Sequence, residues 1–259
     1  MIVTLFVLSL IGGFFSGLLG VGGAVVMIPM MLAIPPLVGA GQLNMNEVAG
    51  ISMVQVLAAS VSGCLAHRRE GHVHTKTLFA IGIPMGLLAL LGAYFSKFME
   101  SRTILLLFGC LVLFAFVLML VKKGAEDPEG LEDAFTFNAP LFATVGGAVG
   151  VISGIVGAGG GFVLIPLMIT ILKIPMRITV GSSLGIVFVG AVMGAIGKAL
   201  SLQIEWLYVL PVLLGSIPAA RIGARVSKMV PAIYIRYMFI VLVFLTLVRT
   251  WWDILFGAA

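Results

Sequence analysis

Long stretches without charged residues alternate with short polar segments along the chain. No charged residue occurs before Glu47, and further uncharged tracts cover residues 48–66, 77–96, 103–121, 138–172 and 178–197. At about 1.5 Å per helical residue, each tract is long enough to cross about 30 Å of hydrocarbon. Backbone polar groups in lipid need internal hydrogen bonds, and ten-residue segments of alternating hydrophobicity are absent. The tracts therefore predict transmembrane helices rather than barrel strands.

One block of sequence occurs twice. SGLLGVGG at residues 16–23, followed by Ile28-Pro29, recurs 137 positions later as SGIVGAGG at 153–160, followed by Ile165-Pro166. Later matches share an offset of 131 positions and pair Gly50 with Gly181, Ser52 with Ser183, and GAYFSK at 92–97 with GARVSK at 223–228. Two specific blocks in the same order indicate an internal repeat.

Each copy predicts a broken pair of helices followed by three spans. The predicted segments are 2–19, 25–41, 47–66, 76–97 and 102–121 in the first copy, and 138–156, 161–172, 178–198, 205–227 and 232–250 in the second. We therefore predict an all-α polytopic helical bundle of about 8–10 membrane segments. Its domains are a first repeat at 1–121, a linker at 122–137 and a second repeat at 138–259. An odd number of crossings in each copy makes the second repeat inverted relative to the first.

The positions of the basic residues predict the orientation in the membrane. Once the spans alternate, most Lys and Arg residues fall on one side, which identifies that side as the cytoplasm. The cytoplasmic set is Arg68, Arg69, Lys76, Lys122, Lys123, Lys173, Arg177, Arg225, Lys228 and Arg236. The linker, which carries five acidic residues, is then cytoplasmic, and both termini are outside.

Composition narrows the class of protein. With 61% hydrophobic and 10% charged residues, the chain is not an ordinary soluble domain. The net charge of +5 does not indicate nucleic-acid binding, because the basic residues lie singly or in pairs at the ends of apolar tracts, where we expect interfacial anchors. His67, His72 and His74 lie in a basic loop without the carboxylate or Cys partners of a metal site, so we expect neither a metal nor a cofactor.

The two glycine motifs are the strongest functional signal. Interior Gly costs a helix about 1 kcal/mol and Pro about 3 kcal/mol relative to Ala, so the chain should unwind at 20–23 and 157–161. Unwound backbone at membrane depth is tolerated where it lines a cavity. The segment after each break begins there with free N–H groups at the positive end of its dipole. Each break therefore predicts half of an anion site.

The expected substrate ligands are the backbone and hydroxyl groups of the motifs, at Ser16, Gly20, Gly22, Gly23, Ser153, Gly157, Gly159, Gly160 and Gly161. Polar residues on the following spans complete the expected shell, namely Ser52, Gln55, Ser182 and Ser183. Small-residue helix packing is the competing interpretation of the glycines, because Gly13-Gly17 and Gly150-Gly154 both fit the GxxxG pattern. For Gln55, whose counterpart is Ile186, the competing role is an interhelical hydrogen bond.

Arg221 is a further candidate for the site. It lies about 10 Å before Lys228 along a helix, in a tract that is otherwise uncharged from Trp206. A buried Arg in a membrane protein is often functional. Snorkelling to the cytoplasmic surface, beside Arg225, is the simpler alternative.

These features predict a transporter that moves a small anion by alternating access around a midplane site. No acidic residue lies inside a predicted span, since Glu47 and Glu205 are each the first residue of one. Coupling would therefore use backbone carbonyls and hydroxyls, or transport is uncoupled or runs on the anion's own charge. A membrane potential of 100 mV is worth about 2.3 kcal/mol per charge and favours anion export. The alternatives are a non-transporting membrane scaffold subunit and an intramembrane serine hydrolase. The hydrolase would use Ser52 or Ser183 but lacks an intramembrane base, so we expect no enzyme activity.

The motifs resemble those of the TauE/SafE transporters. The resemblance rests on GFFSGLLGVGG at 13–23, its copy at 150–166, and Gly-Ser-Ser at 181–183, and it covers nearly the whole chain. It implies a permease of a bacterial or archaeal cytoplasmic membrane for sulfite, sulfoacetate or another organosulfonate, with export in several members. The implied partners are a small organic or inorganic sulfur oxyanion and the lipid bilayer, without nucleic acid; a coupling ion and a homo-oligomer stay open. Ala24 stands where the second copy has Gly161, so we expect the half-sites to hold unequal parts of the ligand.

Overall fold

The computed structural model describes residues 1–20, 22–67, 75–121, 138–174, 176–227 and 229–256. Within these ranges the chain forms ten α-helices, one 3-10 helix at Ser96–Phe98, and no strand. The helices of the first repeat are α1 (Ile2–Leu19), α2 (Ala24–Leu37), α3 (Met45–His67), α4 (Thr75–Phe95) and α5 (Ser101–Val121). Those of the second repeat are α6 (Ala139–Val156), α7 (Gly161–Thr170), α8 (Met176–Leu200), α9 (Trp206–Ser227) and α10 (Ala232–Phe256).

The predicted all-α bundle is confirmed, and two helix ends differ from the prediction by more than two residues. α2 ends at Leu37 rather than at 41, because the chain turns through Gly39 and Gly41 with φ of 66° and 111°. α10 continues past 250 to Phe256. Asp253 therefore lies within a helix, where it pairs with Arg249 at 3.0 Å, so α10 carries an acidic residue that the shorter predicted span left out.

Several predicted features lie outside the described residues. They are the linker at 122–137 with Lys122 and Lys123, the loop at 68–74 with His72 and His74, and Lys228. The side chains of His67, Arg177 and Arg236 are also outside the description.

The helices form an integral multi-pass membrane protein. Seven helices in the described ranges are long and apolar enough to cross a bilayer, and α2, α7 and Met45–Val61 of α3 are shorter apolar helices. Large apolar side chains such as Phe114, Phe244 and Trp252 are exposed, as a lipid-facing surface requires.

The two repeats pack reciprocally. The first helix of each repeat lies against the fourth helix of the other, so α1 contacts α9 and α6 contacts α4. Two further pairs of contacts follow the same pattern. The contact of α2 with α10 is equivalent to that of α7 with α5, and the contact of α3 with α9 is equivalent to that of α8 with α4. The third helices, α3 and α8, contact each other. Each repeat therefore completes the packing of the other.

The GxxxG glycines lie in these exchanged contacts. A Cβ placed on Gly13 would lie 2.7 Å from Ser216 Cα on α9, and one on Gly17 would collide with the carbonyl oxygen of Ala220. In the second repeat, a Cβ on Gly154 would collide with the carbonyl oxygen of Ala89 on α4. The helix-packing interpretation thus applies to the glycines before each break, where backbones approach too closely for a side chain.

Candidate functional site

Each glycine motif is a tight reversal between two helices. α1 ends at Gly20, whose N–H donates to Ser16 O at 2.9 Å, and α2 begins after Gly23, which has φ of 73°. The second copy repeats this geometry, with φ of 78° at Gly157 and 71° at Gly160. These left-handed values favour glycine, because a Cβ there meets the neighbouring backbone. The predicted unwinding is therefore present in both repeats.

The two reversals meet between α3 and α8. A Cβ on Gly22 would lie 3.0 Å from Val56 Cγ1 and 3.6 Å from Val187 Cγ1. A Cβ on Gly159 would collide with the same Val56 methyl. Val56 and Val187 are 131 positions apart, so they are equivalent residues of the two repeats, and each lies near the middle of its helix. Both breaks thus converge at the centre of the bundle.

The helices that start at the breaks have uncapped N-termini. Within the described residues, neither α2 nor α7 has a side-chain hydrogen bond at its N-cap. The first N–H groups of a helix have no acceptor inside that helix, and they carry the positive end of its dipole. A left-handed residue followed by a right-handed one also turns successive N–H groups toward a common point. Taken by itself, each helix start therefore favours an anion.

Gln55 is aimed at the first break with its amide unpaired. The side chain is fully buried, and neither Nε2 nor Oε1 has a hydrogen-bond partner in the part of the chain that the structure describes. A Cβ on Gly12 would lie 3.1 Å from Nε2, and one on Gly23 would lie 3.4 Å from it. A buried amide without a hydrogen-bond partner is costly, and the described residues supply none to Gln55.

The two breaks differ in polarity. Ser216 Oγ is a second buried group without a partner among the described residues, and its backbone lies against Gly13, next to Gly12. The repeat counterparts of Gln55 and Ser216 are Ile186 and Met85, which are apolar and fully buried. The first break therefore has polar side chains at two positions whose counterparts in the other repeat are apolar.

The predicted serines take different positions around the breaks. Ser52 Oγ lies 2.8 Å from Gly157 O and 3.3 Å from Ala49 O, so its hydroxyl joins α3 to the second break. Ser16 packs against Gly23, while Ser153 packs against Gly160 and donates to Gly150 O at 3.2 Å.

The remaining predicted residues lie at varying distances from this centre. Ser182 and Ser183 are fully buried on α8, and Gly161 is the first residue of α7. Arg221 is exposed on α9, so the structure does not bring its side chain to the buried breaks.

A hydrogen bond from α10 secures the start of α2. Pro29 has no N–H, so the carbonyl of Val25 loses its donor within the helix. Thr246 Oγ1 donates to that carbonyl at 3.0 Å. This interhelical bond gives the carbonyl of Val25 the donor that Pro29 cannot supply.

Lys198 is a buried basic residue whose burial could not be predicted from the sequence. We expected it to be an interfacial anchor, but it is fully buried, and Nζ donates to Ser96 Oγ at 2.7 Å, Ile155 O at 3.1 Å and Gln203 Oε1 at 2.6 Å. The expectation fails because the segment after α8 brings Gln203 back over the lysine. No sequence signal separates Lys198 from true anchors, since it also ends an uncharged tract.

The glycine breaks are closed to solvent. Gly22, Gly23, Gly159 and Gly160 are all buried. A separate apolar groove of about 320 Å³ lies between α5, α6 and α7, with Val149 in its wall. Its lining includes none of the break glycines, although Val149 also packs against Gly160.

A multi-pass helical bundle whose repeats each contribute a broken helix to a buried centre is the architecture of a membrane transporter. The chain belongs to the sulfite exporter TauE/SafE family, whose model matches residues 5–250.

Relatives of this chain carry the same class of name. It is 27% identical over 243 residues to the probable membrane transporter protein YunE of Bacillus subtilis, covering 87% of this chain and 88% of that protein. It is 28% identical to a probable membrane transporter protein of Xylella fastidiosa, over 83% of this chain and 80% of that one. A probable membrane transporter protein of Methanocaldococcus jannaschii is 23% identical, over 90% and 89% of the two chains. No solved structure matches the chain.

Proposed function

We propose that this protein carries a small oxyanion of sulfur across a bacterial or archaeal cytoplasmic membrane, with the anion bound where the two glycine breaks meet. The observation that carries the proposal is the unpaired amide of Gln55, fully buried beside the uncapped start of α2. An oxyanion accepts hydrogen bonds from Nε2 and from the helix N–H groups. Such a ligand gives partners to groups that otherwise have none.

Alternating access is supported by the reciprocal packing of the repeats. Equivalent helices of the two repeats make equivalent contacts across the centre. A second arrangement, in which each repeat adopts the packing that the other has now, would therefore make similar contacts. The breaks are closed in the present arrangement, and rocking one half against the other would open them to one side. In the proposed orientation both termini lie outside and the linker at 122–137 is cytoplasmic.

The family description supports sulfite as a substrate, and sulfoacetate or another organosulfonate presents the same oxygens. Export is the proposed direction. A negative interior drives an anion outward by about 2.3 kcal/mol per charge at 100 mV, without a coupling carboxylate at the site.

Transport accounts for the site better than catalysis or scaffolding does. The Ser52 hydroxyl lies against the carbonyl oxygens of Gly157 and Ala49, and a carbonyl is too weakly basic to activate a nucleophile. A scaffold subunit would not require a buried, unpaired amide at the centre of its helical bundle, because such a group costs stability.

Flux measurements in proteoliposomes test the proposal. The purified full-length protein should move sulfite or methanesulfonate, at a rate that rises when the membrane potential favours movement of the anion. Gln55→Leu removes the amide, so flux should fall at least about tenfold, the loss of one or two good hydrogen bonds to an anion. Ser60→Ala is the matched control, because Ser60 lies on the same helix and its hydroxyl donates to Leu57 O at 2.8 Å; this variant should transport normally. Absence of flux for every sulfur oxyanion would refute the function.

A further inference from the structure

A helix break brings a negative helix end to the site as well as a positive one. α6 ends at Val156 and α7 begins at Gly161, so the terminal carbonyls of α6 lie close to the free N–H groups of α7. The two ends carry about −0.5 and about +0.5 of an elementary charge. An anion at the second break is attracted by one and repelled by the other. Something must offset the α6 terminus before this break favours an anion.

Lys198 lies at that negative end. Its Nζ donates to the carbonyl of Ile155, in the last turn of α6. The other two acceptors are Ser96 Oγ, at the end of α4, and Gln203 Oε1, in the segment between α8 and α9. Ser96 also donates its own hydroxyl proton to Ala93 O at 2.7 Å, so its oxygen is available to accept. An ammonium has three donors, and all three are used here.

The charge of Lys198 has no carboxylate beside it within the described ranges, and its three acceptors are neutral. It is also the one charged side chain among the described residues that is completely buried. Charges inside a protein are screened much less than charges at its surface. Its three acceptors and the negative end of α6 stabilise the protonated form of the side chain, whose excess positive charge would act on the neighbouring break.

We propose that Lys198 is a positioning residue that makes the second break favour anions in proportion to their charge. It neutralises the α6 terminus and fixes it against α4 and α8, and it does not touch the ligand because its N–H groups are occupied. The inference rests on the proposed anion site. In that site the first break supplies side-chain hydrogen bonds, and the second supplies positive charge.

A charge-cancelling variant tests the inference without removing a contact. Gln203→Glu keeps an oxygen in place to accept from Lys198 and adds a carboxylate that cancels its charge. The probes are sulfate and methanesulfonate, two tetrahedral sulfur anions of charge −2 and −1, titrated into the purified full-length protein. We expect the affinity for methanesulfonate to fall about tenfold and that for sulfate about a hundredfold, since a field acts in proportion to ligand charge. The ratio of the two affinities should thus change about tenfold.

Lys97→Met is the matched control. Lys97 follows Ser96 directly but is exposed, where it stacks on Tyr94 and Phe98, so its removal deletes the same charge at the same end of α4. It should leave the affinity ratio unchanged. Should Gln203→Glu fail to fold, Lys198→Arg and Lys198→Met give the same comparison. The preference for sulfate over methanesulfonate should be kept in Lys198→Arg and lowered in Lys198→Met.

The outcomes separate this inference from the proposed function. If the wild-type protein binds both anions and the ratio stays within twofold in the charge-cancelling variant, or shifts equally in Lys97→Met, the role of Lys198 is refuted while the site stands. If the wild-type protein binds neither anion, both proposals fail together.

Discussion

Gly22 and Gly159 both lie against the side chain of Val56, although 137 positions separate them in the sequence. Gly22 comes from the first repeat and Gly159 from the second, and Val56 belongs to the first. Val187, the counterpart of Val56, lies against Gly22 as well. The centre of the molecule is therefore formed by equivalent parts of both repeats, packed without room for an added methyl group.

Gly159→Ala should destabilise the protein strongly. The residue has φ of 63°, and a Cβ would collide with Val56. Left-handed strain of about 1–2 kcal/mol and overpacking of about 1–3 kcal/mol act together. Gly39→Ala isolates the strain, because Gly39 has φ of 66° and nothing lies within 4 Å of an added Cβ. Thermal unfolding in detergent should show the larger fall for Gly159→Ala, and equal falls would contradict close packing at Val56.

Ser52→Ala should loosen the second break. It leaves the carbonyl of Gly157 without its 2.8 Å hydrogen bond, at a cost of about 1–3 kcal/mol for a buried acceptor. Ser60→Ala, on the same helix, loses only a local bond to Leu57 O and should stay within about 0.5 kcal/mol. Thermal unfolding midpoints of the two variants give the comparison. A similar loss in both would mean that the bond between α3 and the break contributes little.

Exchanging the polarity of equivalent positions should have opposite effects on stability. Gln55→Ile removes an amide that makes no internal hydrogen bond in the described part of the chain, so the unliganded protein should be unchanged or more stable. Ile186→Gln buries an amide among apolar groups and should cost about 1–3 kcal/mol. Unfolding midpoints measured without anion check both. Loss of stability in Gln55→Ile would show that the amide has a structural partner.

Thr246→Val should weaken the start of α2. The substitution keeps the shape of the side chain but leaves the carbonyl of Val25 without a donor, because Pro29 supplies none. The expected cost is about 1–3 kcal/mol. Thr144→Val is the control, since Thr144 is exposed and bonds only to Leu141 O. Hydrogen exchange in the first turn of α2 should also accelerate in Thr246→Val alone; unchanged exchange would contradict the anchoring role.

The helices could be predicted from the sequence because an uncharged tract of sufficient length has few alternatives in lipid. The breaks could be predicted because glycine and proline weaken a helix locally. The end of α10 was harder to predict. A rule that ends a membrane span at charged residues treats Arg249 and Asp253 separately, whereas their side chains pair within the helix. Helix formation, helix breaking and the pairing of side chains one turn apart all depend on residues that are close together in the sequence.

Properties that depend on distant residues could not be predicted. Gly17 and Gly22 belong to one motif, yet one packs against α9 and the other lies at the centre, and only the exchange of helices between repeats separates their roles. Lys198 has the sequence context of a surface anchor, and its burial depends on Ser96, about a hundred positions away. The bond of Thr246 to Val25 joins helices at opposite ends of the chain.

The exchange of partners between α1 and α9 also sets the order in which the protein can be completed. α1 leaves the ribosome before α9, and the roughly 190 residues between them take about 10–40 s of synthesis at ordinary rates. During that interval the glycine face of α1 must be covered by lipid or by the insertion machinery. A protein that binds unpaired small-residue faces in the nascent chain would therefore affect the yield of this transporter more than its final stability.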